Sequence, residues 1–177
     1  MPSPSLAALA GFDQKVVVGV GDFAVSNNQT VVLTTYSLGS CIGVTLYDPV
    51  VRVGGLLHFM LPDSSTNPAK AAEQPAMFAD TGIPALFRAA YQMRAEKHRA
   101  QICLAGGAQV MDSSGFFNIG ARNYEGVATL LREHGLRIQA EQVGGMVSRT
   151  VMLNVRTGEV RLKVSGQAAE FVLCQGG

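Results

Sequence analysis

Cys41 is the side chain with the clearest potential for nucleophilic chemistry, because of the turn in which it lies. The segment Ser37-Leu38-Gly39-Ser40-Cys41-Ile42-Gly43 separates two β-like stretches. A nucleophilic thiol needs exposure, a base that generates the thiolate, and backbone N–H groups that hold an oxyanion. Glycines on both sides let the chain bend sharply and let a substrate amide approach closely. We therefore predict Cys41 as a nucleophile, with Gly39, Ser40 and Gly43 forming the oxyanion and substrate loop.

The other two cysteines carry weaker signals, and a buried structural role is the commoner fate of a single cysteine. Cys103 fits that role, since it lies in the apolar run Ile102-Cys103-Leu104, and Cys174 belongs to no pattern. The spacing Gly39-x-Cys41-x-Gly43 also matches a nucleophile elbow, which requires a strand, a turn and then a helix. The residues after Cys41 alternate as a strand does, so the elbow is rejected.

His58 is the candidate base among the three histidines. It interrupts an apolar run from Gly55 to Leu61 on the strand after Cys41, and a hairpin across Asp48-Pro49 would bring the two side chains together. An imidazole beside a thiol lowers the thiol pKa and supplies a proton donor for a leaving group. The alternative, more frequent for a lone histidine in a strand, is a core residue with satisfied hydrogen bonds. Solvated positions at helix ends are predicted for the other two histidines, His98 and His134.

A third group must orient the His58 ring through its second nitrogen. Thr35, six residues before Cys41 at the end of the preceding strand, is near enough to supply a hydroxyl. Asp48, at the far end of the strand that follows Cys41, is the competing candidate. Spacing alone leaves both open.

Nothing in the sequence indicates a metal ion or another cofactor. It contains neither a C-x-x-C nor an H-x-x-x-H pattern, and its three histidines fall on unrelated elements. Gly19-x-Gly21 lacks the rest of a dinucleotide fingerprint, and Gly106-Gly107 is not followed by the lysine of a phosphate-binding loop.

Composition narrows the class of protein. The chain has 177 residues with 47% hydrophobic and 15% charged side chains and a net charge of +1. These values favour a folded single domain and give no field that would recruit nucleic acid or an anionic membrane. No apolar stretch approaches the ~20 residues of a membrane span, and three cysteines at low density favour a reducing cytoplasm. We expect a flexible lead-in over residues 1–14 and one domain over residues 15–177.

The pattern of elements predicts an α+β fold with mostly antiparallel strands. Strands are predicted from Lys15 onward, near residues 30–35, 42–47, 51–61, 102–105 and 136–143, and as a hairpin over 151–164 that turns at 156–159. One helix is predicted to start near Thr81 with Pro84 in its first turn, and another to cover 123–134 with Asn123 as its cap. The polar stretch 62–75 is long for a loop and is a candidate lid.

These motifs together resemble those of the CheD family of chemoreceptor glutamine deamidases, over about residues 15–165. The resemblance rests on the following segments: 34–48 around Cys41, 54–62 around His58, Ala79-Asp80-Thr81-Gly82, Gly106-Gly107-Ala108-Gln109, Asn118-Ile119-Gly120-Ala121-Arg122-Asn123 and Gly144-Gly145. It implies that Cys41 is the nucleophile, that His58 is the base, and that Thr35 orients His58. One departure is Ser148, where the family usually has a glycine.

The resemblance also implies a fold, an activity and partners. The implied fold is a β-sandwich flanked by helices, shared with bacterial toxin deamidases. The implied reaction converts receptor glutamine side chains to glutamate through an acyl-thioester, and extends to glutamyl methyl esters. The substrates would be chemotaxis receptors with helical coiled coils, and the phosphatase CheC a regulator. The alternatives are a non-catalytic module that binds receptors or CheC, and a cysteine protease.

Overall fold

The structure, a computed structural model, describes residues 12–110, 114–115 and 117–177. The strands are β1 Gln14–Val17, β2 Asp22–Ser26, β3 Val31–Leu38, β4 Ile42–Asp48, β5 Val53–Phe59, β6 Gln101–Gly106, β7 Ile138–Val143, β8 Arg149–Asn154, β9 Val160–Val164 and β10 Phe171–Cys174. The α-helices are α1 Pro68–Glu73, α2 Ala79–Gln92 and α3 Ile119–Glu133, with short 3₁₀ turns at Ser64–Thr66, Pro75–Met77 and Lys97–Arg99.

The strands form two five-stranded sheets. The first has the order β1-β3-β8-β9-β10 and the second the order β2-β5-β4-β6-β7. The β1–β3 and β6–β7 pairs are parallel and the other pairs are antiparallel. The predicted α+β class with mostly antiparallel strands is therefore confirmed. The relation to toxin deamidases stays a prediction.

Two apolar layers hold the fold together. Between the sheets, buried side chains of the first sheet, including Leu33, Val151 and Leu162, pack with Leu56 and Cys103 of the second sheet. The opposite face of the second sheet is covered by α2 and α3. Strands β4 and β5 are consequently buried along their whole length, which explains why their apolar residues run nearly without interruption.

The start of α2 was predicted to within two residues, but the placement of Pro84 in its first turn and the start of α3 were wrong. Helix α2 begins two residues before Thr81, so Pro84 is its sixth residue and not part of its first turn. Helix α3 begins at Ile119, and its N-cap position is Asn118, in a left-handed conformation with φ of 48°. Asn123 is a fully buried residue within the helix. A capping preference is a local property, whereas burial of Asn123 is set by tertiary contacts that the pattern does not encode.

Two predictions for irregular segments also need correction. The stretch 62–75 contains α1, whose start is capped by the Asn67 side chain accepting the Lys70 N–H at 3.0 Å, and its role as a lid stays a prediction. Of the predicted lead-in, residues 1–11 lie outside the described residues, and Gln14 already belongs to β1. In the described ranges, no helix is long and apolar enough to cross a bilayer.

An ion pair between Asp48 and Arg99 lies at the end of the second sheet that is remote from Cys41. The Asp48 carboxylate is fully buried and lies 2.8 Å from Arg99 Nη2, and it accepts the N–H groups of Glu96 at 2.9 Å and Val50 at 3.0 Å. Burial by itself would raise the pKa of Asp48, but the hydrogen bonds from Arg99 and these N–H groups outweigh it and lower the pKa. Asp48 therefore stabilises the fold at this end of the sheet.

We predict that Asp48→Asn destabilises the protein without changing the chemistry of Cys41. Asparagine removes the negative charge to which Arg99 and the N–H groups of Glu96 and Val50 donate, so the free energy of unfolding should fall, since a hydrogen bond to a charged group is worth roughly 1.5–3 kcal/mol. Urea denaturation of both proteins measures that difference, and the rate of Cys41 alkylation measures the reactivity of the site. An Asp48→Asn variant that keeps its stability but loses Cys41 reactivity would contradict this assignment.

Candidate active site

The register of β4 and β5 places Cys41 and His58 on the same face of the second sheet. Gly43 is the direct partner of His58 in the antiparallel pair. Side chains two residues apart on a strand share a face, so Cys41 and His58 are diagonal neighbours across the pair. Cys41 also packs against the apolar layer between the sheets, which identifies the face. The hairpin expected from the sequence therefore brings the two together.

Thr35 reaches His58 from the other sheet. Its hydroxyl oxygen lies 2.7 Å from Nδ1 of His58 and 2.7 Å from the carbonyl oxygen of Val18. A carbonyl can only accept, so the single hydroxyl proton of Thr35 is donated to Val18. The Nδ1 of His58 must then donate to the Thr35 oxygen, which makes the neutral ring the Nδ1–H tautomer and leaves the lone pair on Nε2.

The environment of His58 keeps the ring neutral. His58 is 1% exposed, and burial lowers its pKa to about 4. Its Nε2 is buried and has no hydrogen-bond partner within the described residues. Near pH 7 the ring therefore presents an unprotonated nitrogen that is available to accept a proton from a neighbouring group.

Cys41 is half-buried, and burial raises the pKa of its thiol, an effect that its own backbone N–H partly opposes. No hydrogen bond joins Cys41 to His58 in the described part of the chain. The two groups are thus held as a neutral thiol and a neutral imidazole on one face. Hydrogen bonds between nucleophile and base are often looser in the absence of substrate than in the reacting complex.

The turn that carries Cys41 is fixed through three successive carbonyl groups. The carbonyl of Gly39 accepts the N–H of Ala108 at 2.8 Å, that of Ser40 accepts the side-chain amide of Asn123 at 2.9 Å, and that of Cys41 accepts the N–H of Gly107 at 2.9 Å. Within the described ranges, the N–H groups of Ser40 and Cys41 are not donated to any other residue. The turn therefore has two backbone donors left for a ligand.

Gly43 lies inside β4 and not in the turn with Gly39 and Ser40. A Cβ atom there would lie 3.0 Å from Leu38 and 3.6 Å from the Thr35 side chain. The missing side chain thus lets β3 approach the second sheet, which is the approach that brings Thr35 to His58.

Of the two candidates for orienting His58, the structure places Thr35 against the ring and Asp48 elsewhere. Asp48 pairs with Val53 at the opposite end of β4 and β5, five residues along from the Gly43–His58 pair. At about 3.4 Å per residue that is roughly 17 Å. Spacing could not separate these candidates, because the contact between Thr35 and His58 crosses from one sheet to the other.

For two residues around the site, Asn123 and Arg149, the sequence predicted no role in the site. Asn123 binds the Cys41 turn, as described above. Arg149 is also buried, and its guanidinium donates to the Gly106 carbonyl at 3.2 Å and to the side chain of Gln142. Burial lowers the pKa of Arg149. Asn123 lies in the segment 118–123 that carries the family resemblance, which could have marked it, whereas Arg149 follows Ser148, where the sequence departs from the family.

Within the described residues, no three His, Cys, Asp or Glu side chains lie close enough together to hold a metal ion. The chemistry available at the site is that of a thiol, an imidazole and free backbone N–H groups.

Comparison with known proteins assigns the family. The family described as "CheD chemotactic sensory transduction" matches residues 60–164. A Syntrophus aciditrophicus protein named "Probable chemoreceptor glutamine deamidase CheD 1" is 48% identical over 151 residues, which cover 85% of this chain and 94% of the relative. The chain belongs to the CheD family.

Further CheD relatives support the same assignment. A Solibacter usitatus protein is 44% identical over 159 residues, covering 90% of this chain and 94% of its own length. A Pyrococcus abyssi protein is 39% identical over 163 residues, covering 90% and 98%. Both are named "Probable chemoreceptor glutamine deamidase CheD". Because such alignments leave out at most 15% of this chain, each of them includes Thr35, Cys41 and His58.

We predict that the His58 ring stays neutral, in the Nδ1–H form, until the pH approaches 4. A ¹⁵N NMR titration of the His58 imidazole measures both the tautomer and the pKa. The folded-state pKa lies below the usual 6.5, so the contribution of His58 to stability is complete above pH 6.5 and declines as the pH falls toward 4. A His58 that protonates near pH 6.5, or an Nε2–H tautomer, would contradict the hydrogen-bond assignment.

Proposed function

We propose that this protein is a protein-glutamine deamidase that converts glutamine side chains of chemotaxis receptors to glutamate and releases ammonia. The observation that carries the proposal is the hydrogen bond of 2.7 Å between Thr35 and His58, which leaves Nε2 of His58 unprotonated on the face occupied by Cys41. A nucleophile, a base and an orienting group are the parts that acyl transfer requires. The names of the CheD relatives supply the substrate class.

Formation of the acyl-enzyme begins with the transfer of the Cys41 thiol proton to Nε2 of His58. The sulfur attacks the side-chain carboxamide carbon, and the charge that develops on the oxygen is held by the free N–H groups of Ser40 and Cys41. One such donor typically contributes ~3–4 kcal/mol in the transition state. His58 then gives its proton to the leaving nitrogen, ammonia departs, and a γ-glutamyl thioester remains on Cys41.

Hydrolysis of the thioester uses the same groups in the reverse order. Nε2 of His58 takes a proton from water, the resulting hydroxide attacks the thioester carbon, and the thiol of Cys41 leaves with that proton. Thr35 accepts the Nδ1–H throughout, so the ring does not rotate between steps. A hydroxyl is a weaker partner for the imidazolium than a carboxylate, so His58 returns readily to its neutral state.

The family resemblance supports three further parts of the proposal. A glutamyl methyl ester would form the same acyl-enzyme, so ester hydrolysis is a second activity of the site. The receptor would present its target glutamine on the face of a coiled-coil helix in the cytoplasm. CheC would bind the face that receives the receptor, and so compete with it.

A non-catalytic module that binds receptors or CheC is the main rival. The tautomer that Thr35 imposes and the low pKa of His58 favour catalysis, because a binding surface has no use for an unprotonated, buried Nε2 beside a thiol. A protease would use the same acyl-thioester, so the choice of substrate separates it from a deamidase.

We predict that the protein adds about 1 Da to a receptor signalling domain for each modified glutamine, because an amide becomes an acid. Intact-mass spectrometry after incubation with the purified domain measures the change. Cys41→Ala should abolish it, and Cys174→Ala, which removes a half-buried thiol at the end of β10, should not. Binding of the receptor without any mass change would favour the adaptor, and cleavage of the receptor chain would favour the protease.

We predict that Thr35→Val lowers the rate of deamidation by about 10-fold or more, since the bond that fixes the His58 tautomer is worth ~1.4 kcal/mol. Valine keeps the shape and β propensity of threonine. Thr34→Val is the matched control, because Thr34 is equally buried on the same strand and its hydroxyl has no partner within the described residues. Equal rates for the two variants would remove the orienting role from Thr35.

A further inference from the structure

Asn123 connects the turn that carries Cys41 to the strand that carries His58 through backbone carbonyl groups of both segments. Its side-chain amide donates to the carbonyl of Ser40 at 2.9 Å and to the carbonyl of Met60 at 2.9 Å. Ser40 directly precedes Cys41, and Met60 follows His58 by two residues. Asn123 therefore fixes the position of one backbone segment relative to the other.

The position of Asn123 is itself rigid. The residue is fully buried in the second turn of α3. The start of that helix packs directly on the backbone after β6, since a Cβ atom on Gly120 would lie 2.4 Å from the carbonyl oxygen of Gly107. Gly107 in turn donates to the carbonyl of Cys41. The helix, the loop and the turn form one packed unit.

The contact with Ser40 determines which way the next N–H group points. In a trans peptide the carbonyl of one residue and the N–H of the next point in opposite directions, and the described residues contain no cis peptide. Because Asn123 holds the Ser40 carbonyl, the N–H of Cys41 must point away from Asn123. That N–H is not donated to another residue within the described ranges.

We propose that Asn123 is the positioning residue of the oxyanion hole: it holds the Ser40–Cys41 peptide so that the Cys41 N–H, and not the Ser40 carbonyl, faces the developing negative charge. The inference rests on the proposed acyl chemistry of Cys41. A peptide rotated by half a turn would present a carbonyl oxygen to the oxyanion and repel it. The Oδ1 atom of Asn123 is buried without a hydrogen-bond partner among the described residues. The polar contacts of this side chain are therefore the two bonds that its amide group donates.

Two reactions of Cys41 can distinguish whether Asn123 positions the oxyanion hole or only stabilises the fold. Alkylation by iodoacetamide forms a C–S bond as iodide leaves a saturated carbon, and it generates no oxyanion. Acylation by p-nitrophenyl acetate adds sulfur to a carbonyl carbon, generates an oxyanion, and expels p-nitrophenolate, while the thiol proton passes through His58 to water. Removing one oxyanion donor typically lowers kcat by about 10²–10³, so a misplaced donor should affect only the second reaction.

The test compares Asn123→Ala with Asn154→Ala, the same truncation in a turn where Asn154 accepts the N–H groups of Arg156 and Thr157. We expect Asn123→Ala to be alkylated within about two-fold of the wild-type rate. Its acylation rate and its kcat for deamidation should fall at least 10-fold, with KM nearly unchanged. Asn154→Ala should leave all of these rates unchanged.

Equal losses of alkylation and acylation would overturn the proposal, as would no loss of either. If Asn123→Ala does not fold, Asn123→Ser is measured in its place, and failure of both to fold assigns Asn123 to the fold alone and also overturns the proposal. A wild-type protein that is acylated by p-nitrophenyl acetate but modifies no receptor would contradict the proposed function, while the comparison of the two asparagine variants would still test Asn123.

Discussion

The hydroxyl of Thr35 joins the two sheets at the candidate active site, and the chemistry depends on the direction of its two hydrogen bonds. One bond is donated to Val18 and the other is accepted from His58. Because a hydroxyl has a single proton, the first bond determines the second, and the second determines which ring nitrogen keeps its lone pair. The carbonyl of Val18, on the chain before β2, thus sets the tautomer of the candidate base.

The candidate site combines a proposed base, His58, and a proposed nucleophile, Cys41, that are both neutral at rest. Burial lowers the pKa of His58 and raises the pKa of Cys41. A thiolate–imidazolium pair would carry a desolvation cost between the two sheets. In the proposed reaction this pair forms only when the thiol proton of Cys41 moves to His58. In the proposed reaction, the negative charge on the substrate oxygen would be stabilised by the free N–H groups of the turn, whose carbonyl groups are bound by Ala108, Asn123 and Gly107.

The sequence predicted secondary structure correctly where a local residue pattern is compatible with only one type of element. The hairpin of β8 and β9 was predicted from the alternating residues on either side of Gly158. Which other elements each face of the hairpin packs against depends instead on the strand order and on how the two sheets pack. The same reasoning failed at α3, because an asparagine before an amphipathic stretch predicts a cap. Asn123 is buried instead, since the turn at Ser40 and the end of β5 offer it two carbonyl groups.

By itself the sequence predicted a hairpin that would bring Cys41 and His58 together, but the register that places them on one face, with Gly43 opposite His58, is known only from the structure. The sequence also could not choose between Thr35 and Asp48. That choice depends on how two sheets pack, on the space that Gly43 leaves for β3, and on Arg99 pairing with Asp48 at the other end of the strand. These contacts link residues distant in the chain, so only the tertiary structure decided them.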